Sequence, residues 1–139
     1  MKISTKGRYG LTLMIELARN YGAGPLSLKS IAEQKDLSNH YLEQLATPLR
    51  NAGLIRSVRG PYGGYTLAKE PDKITSGDII RVLEGPITLV EVMEEEEAAQ
   101  QALWMQIRDV IKEVLDTTTL DDLIKYDDED PQKDYMYYI

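Results

Sequence analysis

The feature that most constrains the fold of this chain is a pair of short amphipathic helices followed at once by a Gly/Pro-rich hairpin. Ser27 and Ser38 are preferred N-cap residues, and each precedes a run with apolar residues at helical spacing; the second run extends towards Ala52. Two short strands are predicted at about 54–58 and 65–68, joined by a loop that contains three glycines and a proline. This order of elements predicts a helix-turn-helix with a β-hairpin wing.

The other segments complete a mainly α fold with a small β-wing, in which a winged helix-turn-helix domain is joined to a long dimerisation helix. Further helices are predicted from Ser4 or Thr5 to about Asn20, from the capping box Thr75–Asp78 to Gly85, from about Ala98 to Asp116, and after Thr119. We expect three parts: a DNA-binding domain over 1–86, a linker with dimerisation helices over 87–126, and an acidic flexible tail with an apolar end over 127–139.

The long predicted helix has a wider apolar stripe than a small domain needs from one helix. The residues expected to form a dimer interface are Leu103, Trp104, Ile107, Ile111, Val114 and Leu115. One part of this stripe would face the parent domain and the other a second copy of the chain. The alternative is that Trp104, Ile111 and Leu115 all pack within their own chain.

The charges are divided unevenly between the two halves of the chain. Residues 1–69 contain ten Lys/Arg and four Asp/Glu, a net charge of +6, whereas residues 70–139 contain six and nineteen, a net charge of −13. A basic first half beside an acidic second half favours one surface that binds a polyanion. Unevenly solvated charge is the alternative interpretation.

One side of the third predicted helix is polar and carries groups that can hydrogen-bond to base edges. His40, Glu43, Gln44, Thr47 and Asn51 follow one another at helical spacing. Glutamine suits adenine, and glutamate accepts from the cytosine amino group. An ordinary solvated helix face would look the same, but the adjacent wing favours DNA reading. Pro48 is expected to kink this helix, so that the reading part ends near Ala46.

The hairpin loop provides an arginine and glycines where a wing would meet DNA. Arg59 suits the negative potential of a narrow minor groove, and Tyr62 is placed to press on the sugar-phosphate backbone. Gly63 and Gly64 are expected to have positive φ, which a hairpin without any DNA role would also need. The full set of candidate DNA-contacting residues is Thr5, Lys6, Tyr9, Lys29, Ser38, Asn39, His40, Tyr41, Glu43, Gln44, Arg50, Arg59, Gly60, Tyr62 and Gly63.

The composition argues against several other classes of protein. The chain has no cysteine and one histidine, so it offers no thiol nucleophile, no disulfide and no zinc site of the usual Cys/His kind. It has no phosphate-loop or hydrolase motif, so we do not expect an enzyme. The first residues do not resemble a signal peptide, and the expected location is the cytoplasm.

Three motifs carry a family resemblance that covers residues 1 to about 125. The runs at 1–10, 41–45 and 59–65 resemble the winged-helix regulators that include IscR and NsrR, the Rrf-two type. The resemblance implies a homodimer built through the long helix, with the third helix in the major groove of double-stranded DNA and the wing in the minor groove. It also implies DNA contacts by Ser38, Tyr41, Glu43, Gln44 and Arg59.

The chain departs from this family in the segment after the fourth helix. IscR-like members hold an iron–sulfur cluster there with three cysteines, whereas residues 87–97 contain none. A cluster held in that way is ruled out, and no cofactor is expected. The four consecutive glutamates at 94–97 are expected to form a solvated loop.

The segments 78–87 and 136–139 resemble the branch of this family that represses genes of cysteine metabolism. That resemblance implies a partnership with CysK, the O-acetylserine thiol-lyase. Tyr137, Tyr138 and Ile139 would bind CysK, with the terminal carboxylate in place of the carboxylate of the amino-acid substrate. Two alternatives stay open: the tail packs on its own dimer, or the repressor senses a small molecule directly.

Overall fold

The computed structural model of the chain describes residues 3–87 and 93–129. Its elements are α1 (Thr5–Arg19), α2 (Leu28–Lys35), α3 (Asn39–Asn51), β1 (Ile55–Val58), β2 (Gly64–Leu67), a 3-10 turn (Pro71–Lys73), α4 (Ser76–Glu84), α5 (Ala98–Thr117) and α6 (Leu120–Glu129). Six helices and one two-stranded antiparallel sheet within these ranges confirm the predicted winged-helix fold. No helix in the described ranges is both long enough and apolar enough to cross a membrane.

Five of the helices begin where a capping side chain was predicted; at the start of α6, Thr119 and Asp122 exchange hydrogen bonds. The side chains of Ser4, Ser27 and Ser38 each accept a hydrogen bond from a backbone N–H in the first turn of the helix that follows. Thr75 and Asp78 form a reciprocal capping box at the start of α4. These bonds satisfy donors that a helix start otherwise leaves unpaired, which explains why the sequence marks these positions well.

The core lies where α1, α3 and α4 meet beneath the wing. Leu13 and Met14 of α1, Leu42 of α3 and Ile79 of α4 are completely buried. Leu120, the first residue of α6, is also fully buried in this core, so the last helix packs beside α1.

The wing is held at its base by pairing with the segment that precedes α2. β1 and β2 are antiparallel neighbours, with Ile55 opposite Leu67 and Val58 opposite Gly64. Leu26 and Tyr65 exchange two backbone hydrogen bonds, with N···O distances of 3.0 and 2.9 Å. The orientation of the hairpin relative to α2 is therefore fixed by the backbone rather than by loop side chains alone.

The structure corrects two expectations, one about α3 and one about α6. Pro48 lies inside α3, which reaches Asn51 as a single helix, so its exposed side continues past Ala46, where the part that reads DNA was expected to end. Proline removes one N–H donor, but the apolar side of α3 is buried on both sides of this position, and that packing maintains the helix. α6 extends to Glu129, so the helix includes residues 127–129, which were expected to belong to the flexible tail. Arg19 of α1 forms an ion pair with Asp127 in this part of the helix.

α4 is joined to the end of the long helix by several polar contacts. The Ser76 hydroxyl donates to the Leu115 carbonyl at 3.0 Å, and its backbone N–H donates to the Thr118 carbonyl at 2.7 Å. Arg81 and Asp116 form an ion pair with an N···O distance of 2.6 Å. A Cβ at Gly77 would lie 2.5 Å from the Asp116 carboxylate and 2.9 Å from the Arg81 guanidinium, so a larger residue there would displace this ion pair.

Candidate nucleic-acid interface

The rotation of α3 about its axis presents one polar side to solvent. Leu42, Leu45, Ala46 and Leu49 are at most 1% exposed and hold its other side against the core. The side chains we call the α3 outer face are all exposed: His40, Glu43, Gln44, Thr47 and Asn51. The structure therefore brings together all five residues that the helical spacing predicted.

Three side chains of the outer face, those of His40, Gln44 and Thr47, make contacts within the helix. The imidazole Nε2 of His40 lies 3.3 Å from the side-chain nitrogen of Gln44. The Thr47 hydroxyl donates to the Glu43 carbonyl at 3.2 Å, while the Glu43 carboxylate projects from an exposed position. The Glu43 carboxylate and the Gln44 amide are both exposed on the outer face, and both groups can hydrogen-bond to base edges.

A cleft of about 420 Å³ connects the outer face with α2 and the wing. Lys29, Asn39 and Glu43 line it together with Gly64 and Tyr65 of β2. The ammonium of Lys29 thus stands beside the start of α3, where backbone N–H groups of the helix also favour a phosphate. Lys29 and Asn39, two of the candidate contacts, share this site.

The wing projects from the domain at the candidate residues. The Tyr62 side chain is 91% exposed, and Arg59 and Gly60 are exposed beside it. Gly60 has φ of +113°, and its carbonyl accepts a hydrogen bond from the Gly63 N–H at 3.0 Å. This turn places Arg59 and Tyr62 at the exposed tip of the wing.

The expected reason for glycine at position 63 is wrong. Gly63 does not have a positive φ; instead, a Cβ there would lie 2.1 Å from the Val58 carbonyl oxygen. Gly64 does have a positive φ, and its own Cβ would meet the Leu26 backbone at 2.4 Å. Both glycines are therefore required by the close approach of backbone segments at the wing base.

The first turn of α1 supplies candidate contacts from a second direction. Thr5 and Lys6 are exposed, and Tyr9 is half-buried with its ring edge-to-face on Tyr41 of α3, at a centroid distance of 5.8 Å. Aromatic pairs prefer this arrangement. The contact fixes the start of α1 relative to the start of α3. Arg50 lies apart from these residues, exposed in the last turn of α3.

Glu84, a residue that the sequence did not single out, holds the start of α1 in place. Its carboxylate accepts hydrogen bonds from the backbone N–H groups of Ser4 and Gly7, both at 3.0 Å, and from the Ser4 hydroxyl. A Cβ at Gly7 would lie 2.4 Å from that carboxylate. No local signal reveals this cap, because Glu84 is the last residue of a helix about eighty positions further along the chain.

The hydrogen bond from the Ser4 side chain is the main reason that the pKa of Glu84 is lowered; the backbone N–H groups of Ser4 and Gly7 and the charge of Lys6 act in the same direction. Burial acts in the opposite direction. A carboxylate at a helix N-terminus is also favoured by the helix dipole. Glu84 is therefore a positioning residue for the part of α1 that carries Thr5 and Lys6.

These features define a winged helix-turn-helix protein with an exposed polar reading helix and a projecting wing. A family profile described as "Rrf2: Iron-dependent Transcriptional regulator" matches residues 3–126. The chain is 68% identical over 139 residues to the HTH-type transcriptional regulator CymR of Bacillus subtilis (strain 168), covering 100% of both sequences. It is 35% identical over 130 residues to IscR of Escherichia coli O1:K1 / APEC, covering 89% of this chain and 80% of that one.

A solved structure gives the same result. The structure of CymR (YrzC), described as the global cysteine regulator of B. subtilis, matches with a TM-score of 0.87 and 69% identity, over 91% of this chain and 98% of that one. The chain belongs to the Rrf2 family of transcriptional regulators.

An iron–sulfur cluster held by thiolates does not fit the residues of this chain. A cluster held by thiolates needs cysteines, and the sequence has none. In residues 3–87 and 93–129, no three His, Asp or Glu side chains are grouped so that they could hold a metal ion. The residues of this chain therefore do not match the donor set that a thiolate-held cluster requires.

Glu84→Gln is expected to make the fold less sensitive to acid. Because the pKa of Glu84 is lower in the folded chain than its ordinary value of 4.5, its contribution to stability is present above that pH and is lost as the pH falls through the lowered pKa. Urea unfolding at a series of pH values should show a smaller loss below about pH 4.5 in the variant than in the wild type. Glu33→Gln, an exposed change on α2, is the control; equal slopes for wild type and Glu84→Gln would contradict the capping role.

Proposed function

We propose that the protein is a cytoplasmic homodimeric repressor that binds a pseudo-palindromic operator, controls genes of cysteine and sulfur metabolism, and is modulated by a complex with CysK. The observation that carries this proposal is the exposed α3 outer face beside a projecting wing, in a chain that is 68% identical to CymR. Residues 1–86 would bind DNA, the helices within 87–126 would hold the dimer together, and 127–139 would act as the tail.

The division of labour on DNA follows from side-chain chemistry. The outer face of α3 offers an amide and a carboxylate, which suit base edges in a major groove. The wing offers Arg59 to a minor groove, and Lys6, Lys29 and Arg50 are exposed cations for phosphates. The net charge of +6 in residues 1–69 supports a polyanionic partner for this half of the chain.

Dimerisation is supported by apolar surface that the single chain leaves uncovered. No residue of α5 is buried, and Leu103, Val110 and Val114 are 48%, 54% and 56% exposed. Ile111, Val114 and Leu115 also border an almost wholly apolar cleft of about 400 Å³ against α1 and α4, which the helix of a second copy would fill. An isolated soluble monomer rarely leaves such a continuous surface in water.

The candidate site does not support the hypothesis that the protein is an enzyme. The single histidine, His40, lies exposed on the α3 outer face next to Gln44 rather than in a cleft with a nucleophile. The relatives matched above are transcriptional regulators. We therefore propose a binding function without catalysis.

Control of cysteine metabolism and the CysK partnership rest on likeness to CymR. The CymR whose structure matches is described as the global cysteine regulator of B. subtilis. The candidate CysK-binding residues, Tyr137, Tyr138 and Ile139, lie outside the described residues. In this scheme O-acetylserine competes with the tail for the CysK site, releases the protein and weakens repression.

Changes on the outer face and on the wing should affect DNA binding in different ways. Gln44→Ala and Glu43→Ala should each cost about 1–3 kcal/mol of discrimination between operator and scrambled DNA, because base contacts specify sequence. Arg59→Ala should weaken binding and lower the preference for a narrow minor groove. Fluorescence anisotropy at matched salt measures both effects, with Gln106→Ala on α5 as control. Equal wild-type affinity for operator and scrambled DNA would contradict specific binding.

Ile111→Glu should separate the dimer. A glutamate in a packed helix interface would be an unpaired buried charge, which costs several kcal/mol. Sedimentation equilibrium should show a folded monomer with much weaker operator binding. Gln106→Glu adds the same charge at an exposed position of α5 and should stay dimeric. If Ile111→Glu also stayed dimeric, the interface would not include this part of α5.

Deleting Tyr138 and Ile139 should abolish CysK binding and leave operator binding by the isolated dimer unchanged. A terminal carboxylate captured by backbone N–H groups is a known recognition mode, and the deletion moves that carboxylate to another residue. Calorimetry with purified CysK measures the loss. Adding one glycine after Ile139 keeps both tyrosines but displaces the carboxylate, and should have the same effect. Unchanged affinity for CysK, or no competition by O-acetylserine, would refute tail insertion.

A further inference from the structure

A cavity between α4 and α5 collects positive charge in the acidic half of the chain. It has a volume of about 530 Å³ and is lined by Arg81, Pro86, Ile87, Arg108, Asp109 and Lys112. Residues 70–139 contain six Lys/Arg and nineteen Asp/Glu. Three of these six basic residues line this one cavity. Such convergence of cations runs against the local charge balance and points to an anionic occupant.

One of the three cations is oriented by an ion pair. The Arg81 guanidinium pairs through Nη1 with Asp116 across the α4–α5 junction, at 2.6 Å. This hydrogen bond raises the pKa of Arg81 and lowers that of Asp116. A guanidinium has five N–H donors, so the pair with Asp116 leaves others for a second acceptor. Arg81 is thus an oriented donor at the wall of the cavity.

The other two cations stand one turn apart on α5 and are available to a ligand. Among residues 3–87 and 93–129, the one ion pair of Arg108 is with its neighbour Asp109, at 3.3 Å, and both side chains are about half or more exposed. An exposed pair of this kind contributes little to stability, so a stronger acceptor can displace it. Lys112 has no ion-pair partner within 4.0 Å among residues 3–87 and 93–129, although its charge helps to lower the pKa of Asp116.

The cavity lies on a different side of α5 from the apolar dimer stripe. At about 100° per residue, Arg108, Asp109 and Lys112 point about 90° or more away from the mean direction of Ile107, Ile111 and Val114. A partner helix packed on the apolar stripe would therefore leave the cavity accessible. Pro86 and Ile87 add an apolar wall at the end of the cavity near α4.

We propose that the α4–α5 cavity binds a small organic carboxylate of amino-acid size, held by Arg81, Arg108 and Lys112. Its volume lies within the range of about 300–1,000 Å³ that is usual for small-molecule sites. Planar guanidinium groups match a carboxylate in two-point hydrogen bonds, and Lys112 adds a third charge, so that a second carboxylate can also be paired. Asp109, which also lines the cavity, suits an ammonium group of the ligand. This site does not depend on the operator or on CysK.

The test is calorimetric titration of the full-length protein with sodium acetate, succinate and glutamate, at an ionic strength held constant with sodium chloride. Inorganic phosphate and sulfate are titrated in parallel to separate carboxylates from other oxyanions. We expect saturable binding of a carboxylate at one site per chain. Arg108→Gln and Lys112→Gln should each weaken it about tenfold or more, since hydrogen bonds to charged groups are lost. Lys112→Arg should retain binding.

Lys73→Gln is the matched control, because it removes one exposed positive charge from the same half of the chain outside the cavity. It should bind the carboxylate as the wild type does. Thermal unfolding checks that the variants on α5 remain folded. The proposal is overturned if no carboxylate binds saturably, if phosphate and sulfate bind as tightly as the carboxylates, or if Lys73→Gln weakens binding as much as the cavity variants.

Discussion

The burial of one side of α3 is the constraint on which the rest of the candidate interface depends. Residues of a helix follow one another at about 100°, so fixing Leu42, Leu45 and Leu49 in the core fixes the direction of every other side chain on α3. The outer face is exposed for that reason and not through any contact of its own. The Tyr9–Tyr41 contact and the paired backbone at the wing base then position α1 and the hairpin around this helix.

α4 connects that assembly to the long helix. It contacts the end of α5 through Ser76, Gly77 and the Arg81–Asp116 pair, and its last residue, Glu84, caps α1. One short helix therefore touches both the proposed DNA-binding surface and the proposed dimer helix. The cationic cavity lies beside the same helix, so an occupant would contact the element that joins the two.

The sequence predicted those parts of the fold that are determined by local chemistry. The caps Ser27 and Ser38, the Thr75–Asp78 box and the helical spacing of the outer face depend on residues three or four positions apart, and all are present. The effect of Pro48 was misjudged because tertiary packing outweighed a local helix-breaking preference. Neither the Glu84 cap nor the cavity could be predicted, because each joins residues that are distant in the chain and have no spacing pattern.

A two-fold dimer should place two α3 outer faces in successive major grooves. Hydroxyl-radical footprinting of the full-length protein, on a DNA fragment that it selects from a random pool, tests this directly. We expect two symmetric protected regions on one face of the DNA, with centres separated by roughly 34 Å or a multiple of it. Recovery of no preferred sequence, or a footprint without two-fold symmetry, would contradict it.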